Sequence, residues 1–354
     1  MGKCFLSQLS WLASRRPELN LRVCYIATSS KALYKADYSA LAPATLAADV
    51  YSSATPPLAL PQLVEYLAAA PPATTRGVIV VDNTSSQEVA EAYPQMLARG
   101  LSVVTASKKA FSSSFALWSD IFSAADKSGA KVWFESACGA GLPVISTLRD
   151  LVDTGDEVTR IEGVFSGTLS FLFNSFSPTQ GSAGGKWSDE VTKAKDLGYT
   201  EPDPRDDLNG LDVARKLTIL ARLAGVAVES ATSFPVQSLI PQELESAATA
   251  DEFLARLPEF DARMEETKAA AEKEGKVVRF VGSIDVPAKQ VKVGLEQFDR
   301  AHPIASLKGS DNIISFYTKR YGSNPLIVQG AGAGGEVTAM GVTAGVLHVI
   351  SQLP

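Results

Sequence analysis

Histidine is almost missing from this 354-residue chain, which has two. His302 precedes a proline and His348 stands in an apolar C-terminal stretch. A histidine-based triad or a histidine-rich metal site therefore has little to build on. Cysteine is scarce as well: Cys4, Cys24 and Cys138 are odd in number and far apart, which suits a reducing, cytoplasmic setting better than a disulfide framework. No apolar run approaches the roughly 18 residues that span a bilayer. The opening MGKCFLSQLSWLASRR falls short of a secretory signal because Ser7, Gln8 and Ser10 interrupt its apolar part. It also misses an N-myristoylation signal, with Leu6 where a hydroxyl is required. Basic runs interleaved with aromatics are lacking, and the net charge is −6 from 33 Lys and Arg against 39 Asp and Glu. A nucleic-acid partner leaves no footprint here.

What is present reads as a folded protein of two domains, with 45% hydrophobic and 20% charged residues. Phe5, Leu6, Leu9 and Leu12 recur at helical spacing. Residues 21–27 (LRVCYIA) then read as a buried strand, followed by a helix over 61–70, the strand 78–82, a helix over 87–98, and the strand 101–105. A helix over 115–127 leads to the strand 131–135. Strands alternating with helices predict an α/β fold, a parallel sheet with helices on both faces.

In such sheets ligands gather at the carboxyl ends of the strands. Three polar loops fall there: ATSSK at 27–31, NTSS at 83–86 and ASKK at 106–109. A dinucleotide-binding sheet normally opens with a strand and a G-x-G-x-x-G turn. Only Gly2 stands where the last glycine of that turn would precede the first helix, so the sequence is expected to start one strand late, with an incomplete phosphate cradle. After the strand ending at 27 no acidic residue is placed to hold an adenosine ribose 2′-hydroxyl. Ser29, Ser30 and Lys31 could receive a 2′-phosphate instead, which leans the cofactor towards NADP over NAD.

Beyond residue 135 come the glycine-rich SACGAGLPV, a helix over 144–151, a strand over 160–168 and the apolar LSFLFNSF. Residues 177–187 (SPTQGSAGGKW) have the composition of a lid. Residues 194–216, AKDLGYTEPDPRDDLNGLDVARK, concentrate turn residues and carboxylates and run straight into an apolar helix. Asp212 and Lys216 share a helix face that Val213, Ile219 and Leu220 flank. An exposed pair at this spacing would be an ordinary surface ion pair. In a partly apolar wall, a lysine beside a carboxylate can instead donate a proton. Further helices extend to about residue 275. The strands 277–286, 290–298 and 314–320 form an antiparallel group, and the end is a strand, a glycine loop at 330–335 and a last helix.

The run Ala194, Gly198, Tyr199, Glu201, Pro204, Asp207, Gly210, Asp212 and Lys216 resembles the signature of homoserine dehydrogenases. NTSS, ASKKAF, ESACGAGLP, SGTLSFLFN and QGAGAGGEVTAMGV extend the resemblance over essentially the whole chain. It is most similar to the fungal branch without an aspartokinase domain. The resemblance implies a Rossmann-type nucleotide-binding domain over 1–142, an α+β catalytic and dimerisation domain over 143–325, and a C-terminal segment over 326–354 returning to the first. It implies reversible reduction of L-aspartate 4-semialdehyde to L-homoserine with NADPH or NADH, on the route to threonine, methionine and isoleucine.

By the same resemblance Lys216 is the proton donor, with Asp212 and Lys109 also catalytic. Glu201 and Asp212 would hold the substrate amino group, and Asp207 would orient the lysine network. Gly2, Thr84, Ser85, Lys108, Lys109, Gly332 and Gly334 would line the cofactor. Glu135 and the carbonyls of Cys138, Ala140 and Leu142 would bind a sodium ion, and a homodimer would form through the catalytic sheet. Two other readings stay open on the sequence alone: a silent dimerising relative with a defective cofactor site, and an oxidoreductase for a different substrate, against which the full match at Glu201 and Asp212 argues.

Overall fold

The protein is described by a computed structural model over residues 1–71, 77–180 and 184–353. The chain divides into two compact units, one made of Met1–Phe111, Ala116–Gly141 and Gly334–Pro354, the other of Ser112–Phe115 and Leu142–Ala333.

The first unit begins with α1 (Gly2–Arg15), which buries Phe5, Leu9 and Leu12 as its apolar spacing requires. Then follow β1 (Tyr25–Ala27), β2 (Ala32–Tyr34), α2 (Leu46–Ser52), α3 (Leu60–Ala68), β3 (Ile79–Asp82), α4 (Gln87–Glu91), α5 (Tyr93–Ala98), β4 (Ser102–Thr105), α6 (Lys109–Ser112), α7 (Phe115–Ser128) and β5 (Val132–Trp133). A parallel three-stranded sheet runs in the order β3-β4-β5. The middle strand β4 is buried throughout, as expected of a strand covered on both faces. One cover is built by Phe5 and Leu9 of α1 and by Ala339, Val342, Val346 and Val349 of the C-terminal helix Gly335–Gln352, packed with Val104. Gly345 permits that approach, because a Cβ there would lie 2.4 Å from Trp133 Cδ1. Elsewhere in the unit Phe111 stacks on Phe134, ring centroids 3.9 Å apart.

Three expectations for this unit need correction. The stretch 21–27 is not a member of the parallel sheet: only Tyr25–Ala27 is strand, half-buried, and it pairs antiparallel with Ala32–Tyr34. Thr28 forces the reversal, its N–H bonding the Lys31 carbonyl at 2.7 Å while its hydroxyl accepts the Lys31 N–H at 3.1 Å. The helix over 87–98 is two, the second opening with a proline in its first turn. The strand at 131–135 stops after Trp133, and Glu135–Ala137 make a 3₁₀ turn.

In the second unit α8 (Val144–Asp153), β6 (Val158–Val164), α9 (Gly167–Phe176), α10 (Trp187–Asp196), α11 (Arg205–Leu208), α12 (Leu211–Leu223), α13 (Ala250–Arg256) and α14 (Asp261–Lys273) precede β7 (Lys276–Asp285), β8 (Gln290–Asp299), β9 (Asp311–Thr318) and β10 (Leu326–Ala331). The sheet is five-stranded and antiparallel, in the order β10-β9-β6-β7-β8. Helices α9 and α12 lie on it. Phe173 stacks on Phe280, and Gly282 has no room for a Cβ because Leu217 would meet it at 2.7 Å.

The strand expected over 160–168 ends at Val164, where Ser166 caps α9 by accepting the Leu169 N–H at 3.2 Å. Residues 326–331 belong to the antiparallel sheet through pairing with Asp311–Phe316, so the return to the first unit begins at Gly334. Within the expected lid, residues 181–183 lie outside the described residues.

Candidate active site

The segment 194–216 is held by bonds local enough to follow from its sequence. Gly198, with φ +74°, turns the chain off α10, and the Tyr199 N–H returns to the Ala194 carbonyl at 2.9 Å. Tyr199 stacks on Phe171 at 4.4 Å. Asp203 accepts from both the backbone and the Nε of Arg205 at 3.0 Å, and that guanidinium holds its carboxyl below the ordinary value. Gly210, with φ +73°, sets the start of α12; a Cβ there would stand 3.1 Å from both Phe280 and Val236.

From that start Lys216 is carried into the interior, 7% exposed, with Val213, Ile219 and Leu220 buried around it. Its Nζ lies 2.8 Å from Asp212 Oδ2 and donates to the Phe165 carbonyl at 2.7 Å. Phe165 is the residue just past β6, so the lysine is pinned between its own helix and the end of a strand. Asp212 keeps 41% of its side chain exposed. The pair is therefore not an ordinary surface ion pair, since its cation is buried.

Asp207 completes the cluster. Its Oδ1 accepts from Thr168 Oγ1 at 2.9 Å and its Oδ2 from the Glu201 N–H at 2.8 Å. Burial raises its pKa; the two hydrogen bonds oppose the rise, and the charges of Glu201 and Asp212 add to it. Glu201, Asp207 and Asp212 thus share one electrostatic neighbourhood, a setting that favours a cation.

Sequence reasoning missed Thr168 and the Phe165 carbonyl. Thr168 also lies 2.7 Å from the Tyr199 carbonyl, tying α9 to the signature segment. The signal was Ser166-Gly167-Thr168 before an apolar run, a helix start hidden by the expectation of a strand through 168.

In the first unit the strand ends are cross-linked. Asp82 accepts from the Thr84 N–H at 2.7 Å and from the Tyr93 hydroxyl; Thr105 Oγ1 donates to the Asp82 carbonyl at 2.8 Å and accepts the Ser107 N–H at 2.9 Å. Burial, reinforced by Asp82, pushes the Tyr93 hydroxyl well above its ordinary pKa, so it stays a donor. Two buried polar atoms at these strand ends, Asn83 Oδ1 and Ser107 Oγ, have no hydrogen-bond partner among the described residues. Orphans of this kind are costly, and a ligand bearing amide and hydroxyl groups would satisfy them. Thr84 and Ser85 are exposed beside Asn83, while Lys108 and Lys109 follow Ser107, with Lys109 opening α6.

Ser29 and Ser30 form the exposed β1–β2 turn, and Lys31 donates to the Tyr51 carbonyl. Gly2 opens α1 facing open space, with nothing within 4 Å of the position a Cβ would take, and Gly334 has φ +126°. The first turns of α1 and the C-terminal helix meet: a Cβ on Gly335 would lie 3.2 Å from Cys4 Sγ, and Gln8 Nε2 donates to the Glu336 carbonyl at 3.0 Å. Gly332, in the second unit, presses on Asn312, whose Nδ2 would be 2.0 Å from a Cβ. Glu135, Cys138 and Ala140 occupy one buried turn in which Gly139 and Ala140 both have positive φ, +81° and +55°. Leu142 belongs to the second unit.

A parallel sheet with polar orphans at its strand ends, joined in one chain to a buried lysine among carboxylates, places this protein with the NAD(P)-dependent oxidoreductases. The sequence model of homoserine dehydrogenase matches residues 143–347, and that of the homoserine dehydrogenase NAD-binding domain matches residues 2–135. The whole chain is 58% identical to homoserine dehydrogenase of Emericella nidulans and 49% identical to that of Saccharomyces cerevisiae, covering 96% of each. It superposes on a Candida auris protein of unknown function with a TM-score of 0.90 at 47% identity, over 99% of this chain and 95% of that one. The chain belongs to the homoserine dehydrogenase family.

Proposed function

We propose that this homoserine dehydrogenase interconverts L-aspartate 4-semialdehyde and L-homoserine with Lys216 as the proton donor. The observation that carries this reading is the burial of Lys216 between Asp212 Oδ2 and the Phe165 carbonyl. Asp212 and the Phe165 carbonyl hold the ammonium at the end of β6, so its position is set by the fold. When bound, the reduced nicotinamide supplies a hydride to the carbonyl carbon. Negative charge then builds on the carbonyl oxygen, and the Lys216 ammonium both stabilises it and delivers the proton. Glu201 and Asp212 bind the substrate's cationic amino group, which their shared field favours. Asp207 fixes the Glu201 backbone, and Thr168 fixes Asp207. Lys109 acts from the end of β4.

The cofactor fits Asn83 and Ser107 at the strand ends, flanked by Thr84, Ser85 and Lys108. Its phosphates suit the N–H groups at the meeting starts of α1 and the C-terminal helix, near Gly2 and Gly334. Ser29, Ser30 and Lys31 suit a 2′-phosphate, because the bond to Tyr51 uses one of three lysine donors. Glu135 with the Cys138 and Ala140 carbonyls offers the oxygen donors a hard monovalent cation takes, and the antiparallel sheet serves a homodimer. The ratio of rates with NADPH and NADH, the rate in sodium against choline chloride, and sedimentation equilibrium test these three points. Rescue of a threonine- and methionine-requiring strain tests the cytoplasmic biosynthetic role.

The decisive experiment is Lys216→Ala. It is expected to lower kcat by about 10²-fold or more while circular dichroism stays native. Activity surviving in a folded variant removes Lys216 from the proton-transfer role. Asn83 Oδ1 and Ser107 Oγ at the strand ends, unpartnered among the described residues, together with the Lys216–Asp212 pair, argue against a silent relative with a defective cofactor site.

A further inference from the structure

Besides its long stretch, the second unit contains the short segment Ser112–Phe115, which ends α6 and opens α7. So brief an excursion cannot bury a core of its own, and Arg222 of the same unit bonds to it. Arg222 Nη2 donates to the Ser113 carbonyl at 2.6 Å and to the Glu229 carbonyl at 2.9 Å, while Nε donates to the Val228 carbonyl at 3.0 Å. The guanidinium also lies 5.5 Å from the Phe115 ring centroid. Arg222 is 6% exposed, in a helix end whose Ile219, Leu220 and Ala221 are fully buried.

A buried guanidinium carries a desolvation cost, and burial lowers its pKa to about 10. An apolar side chain would avoid that cost, so what the cation adds is directional: a planar fork that reaches three carbonyls at once. Arg222 closes the helix whose first turns carry Asp212 and Lys216. Lys109 sits in the same single helical turn as Ser112, at the first residue of α6.

We propose that Arg222 is a positioning residue for Lys109: by clasping residues 113–115 to the end of α12, it fixes the turn that carries the lysine. The inference rests on the catalytic role given to Lys109 above. Its test is a double-mutant cycle in the full-length enzyme, reading kcat and the cofactor dissociation constant. Arg222→Met should lower kcat by about 10- to 100-fold and leave cofactor binding within about twofold. Arg222→Lys should recover little of the loss, since a point cation cannot span the carbonyls. Lys109→Ala combined with Arg222→Met should be no slower than Lys109→Ala alone.

Multiplicative losses in the double variant, with Lys109→Ala itself slow, overturn the proposal and leave Arg222 a stability residue. Full activity of Lys109→Ala instead removes the role of Lys109, a separate result. If Arg222→Met does not fold, Phe115→Leu loosens the same clasp and enters the same cycle with the same two outcomes.

Discussion

Asp207 is a residue of this site that burial moves away from its ordinary chemistry. Its carboxyl titrates above the ordinary 3.8, chiefly through burial. A carboxyl raised in the folded state favours folding when protonated. That contribution is complete below the unfolded value and is lost as pH rises through the folded one, so at neutral pH the ionised Asp207 is a net cost. Asn preserves the geometry: its oxygen accepts the Glu201 N–H, its amide donates to Thr168 Oγ1, and the Thr168 hydroxyl turns to the Tyr199 carbonyl 2.7 Å away. Asp207→Asn is therefore expected to melt higher than the parent at pH 7, with the gap closing as pH falls through the raised value, and to lose activity through a weaker amine-binding field. Melting curves at pH 7 and pH 4 check this, and a variant less stable at pH 7 would contradict the burial argument. Such a trade of stability for function is common at sites.

Elements whose cues are local were legible. Helix α12 and the turns before it follow from Gly198, Gly210 and the spacing of Asp212 and Lys216, all within bonding reach along the chain. Pairing was not legible: nothing in residues 21–27 announces that Thr28 folds them back on 32–34, and nothing in 160–168 separates a strand from the capped helix that Ser166 begins. The Arg222 clasp joins residues too far apart for any pattern. Helix packing was equally hidden, because glycine tolerance depends on the neighbour. In the C-terminal helix a Cβ on Gly341 would lie 2.2 Å from Ser136 Oγ and 2.9 Å from the Ala140 carbonyl, while Ser136 Oγ already bonds the Thr338 carbonyl at 3.1 Å. Gly341→Ala must push the helix off that turn, at a cost of about 1–3 kcal/mol. Denaturant titration measures it. An unchanged midpoint would mean that the contact yields freely, and the same displacement should weaken any cation response that depends on Glu135, Cys138 and Ala140.

At the scale of the molecule, the first unit is discontinuous, drawing its final helix from beyond the whole of the second. That helix is structural for the cofactor domain: Ala339, Val342, Val346 and Val349 complete the core around Phe5, Leu9 and Val104. Burying a valine or leucine is worth about 1.5–3 kcal/mol, so losing several such contacts removes an amount comparable with the roughly 5–15 kcal/mol that holds a domain folded. A chain ended at Ala333 is expected to keep the second unit, whose five-stranded sheet is made entirely of residues before the cut. The first unit should unfold and cofactor binding should disappear with it. Limited proteolysis should then erase residues 1–111 and leave a resistant fragment near 142–333, while NADPH fluorescence shows no binding. If the shortened chain still binds cofactor with the parent's affinity, the C-terminal helix is an accessory and the core ascribed to it is carried by α1 and the parallel sheet alone.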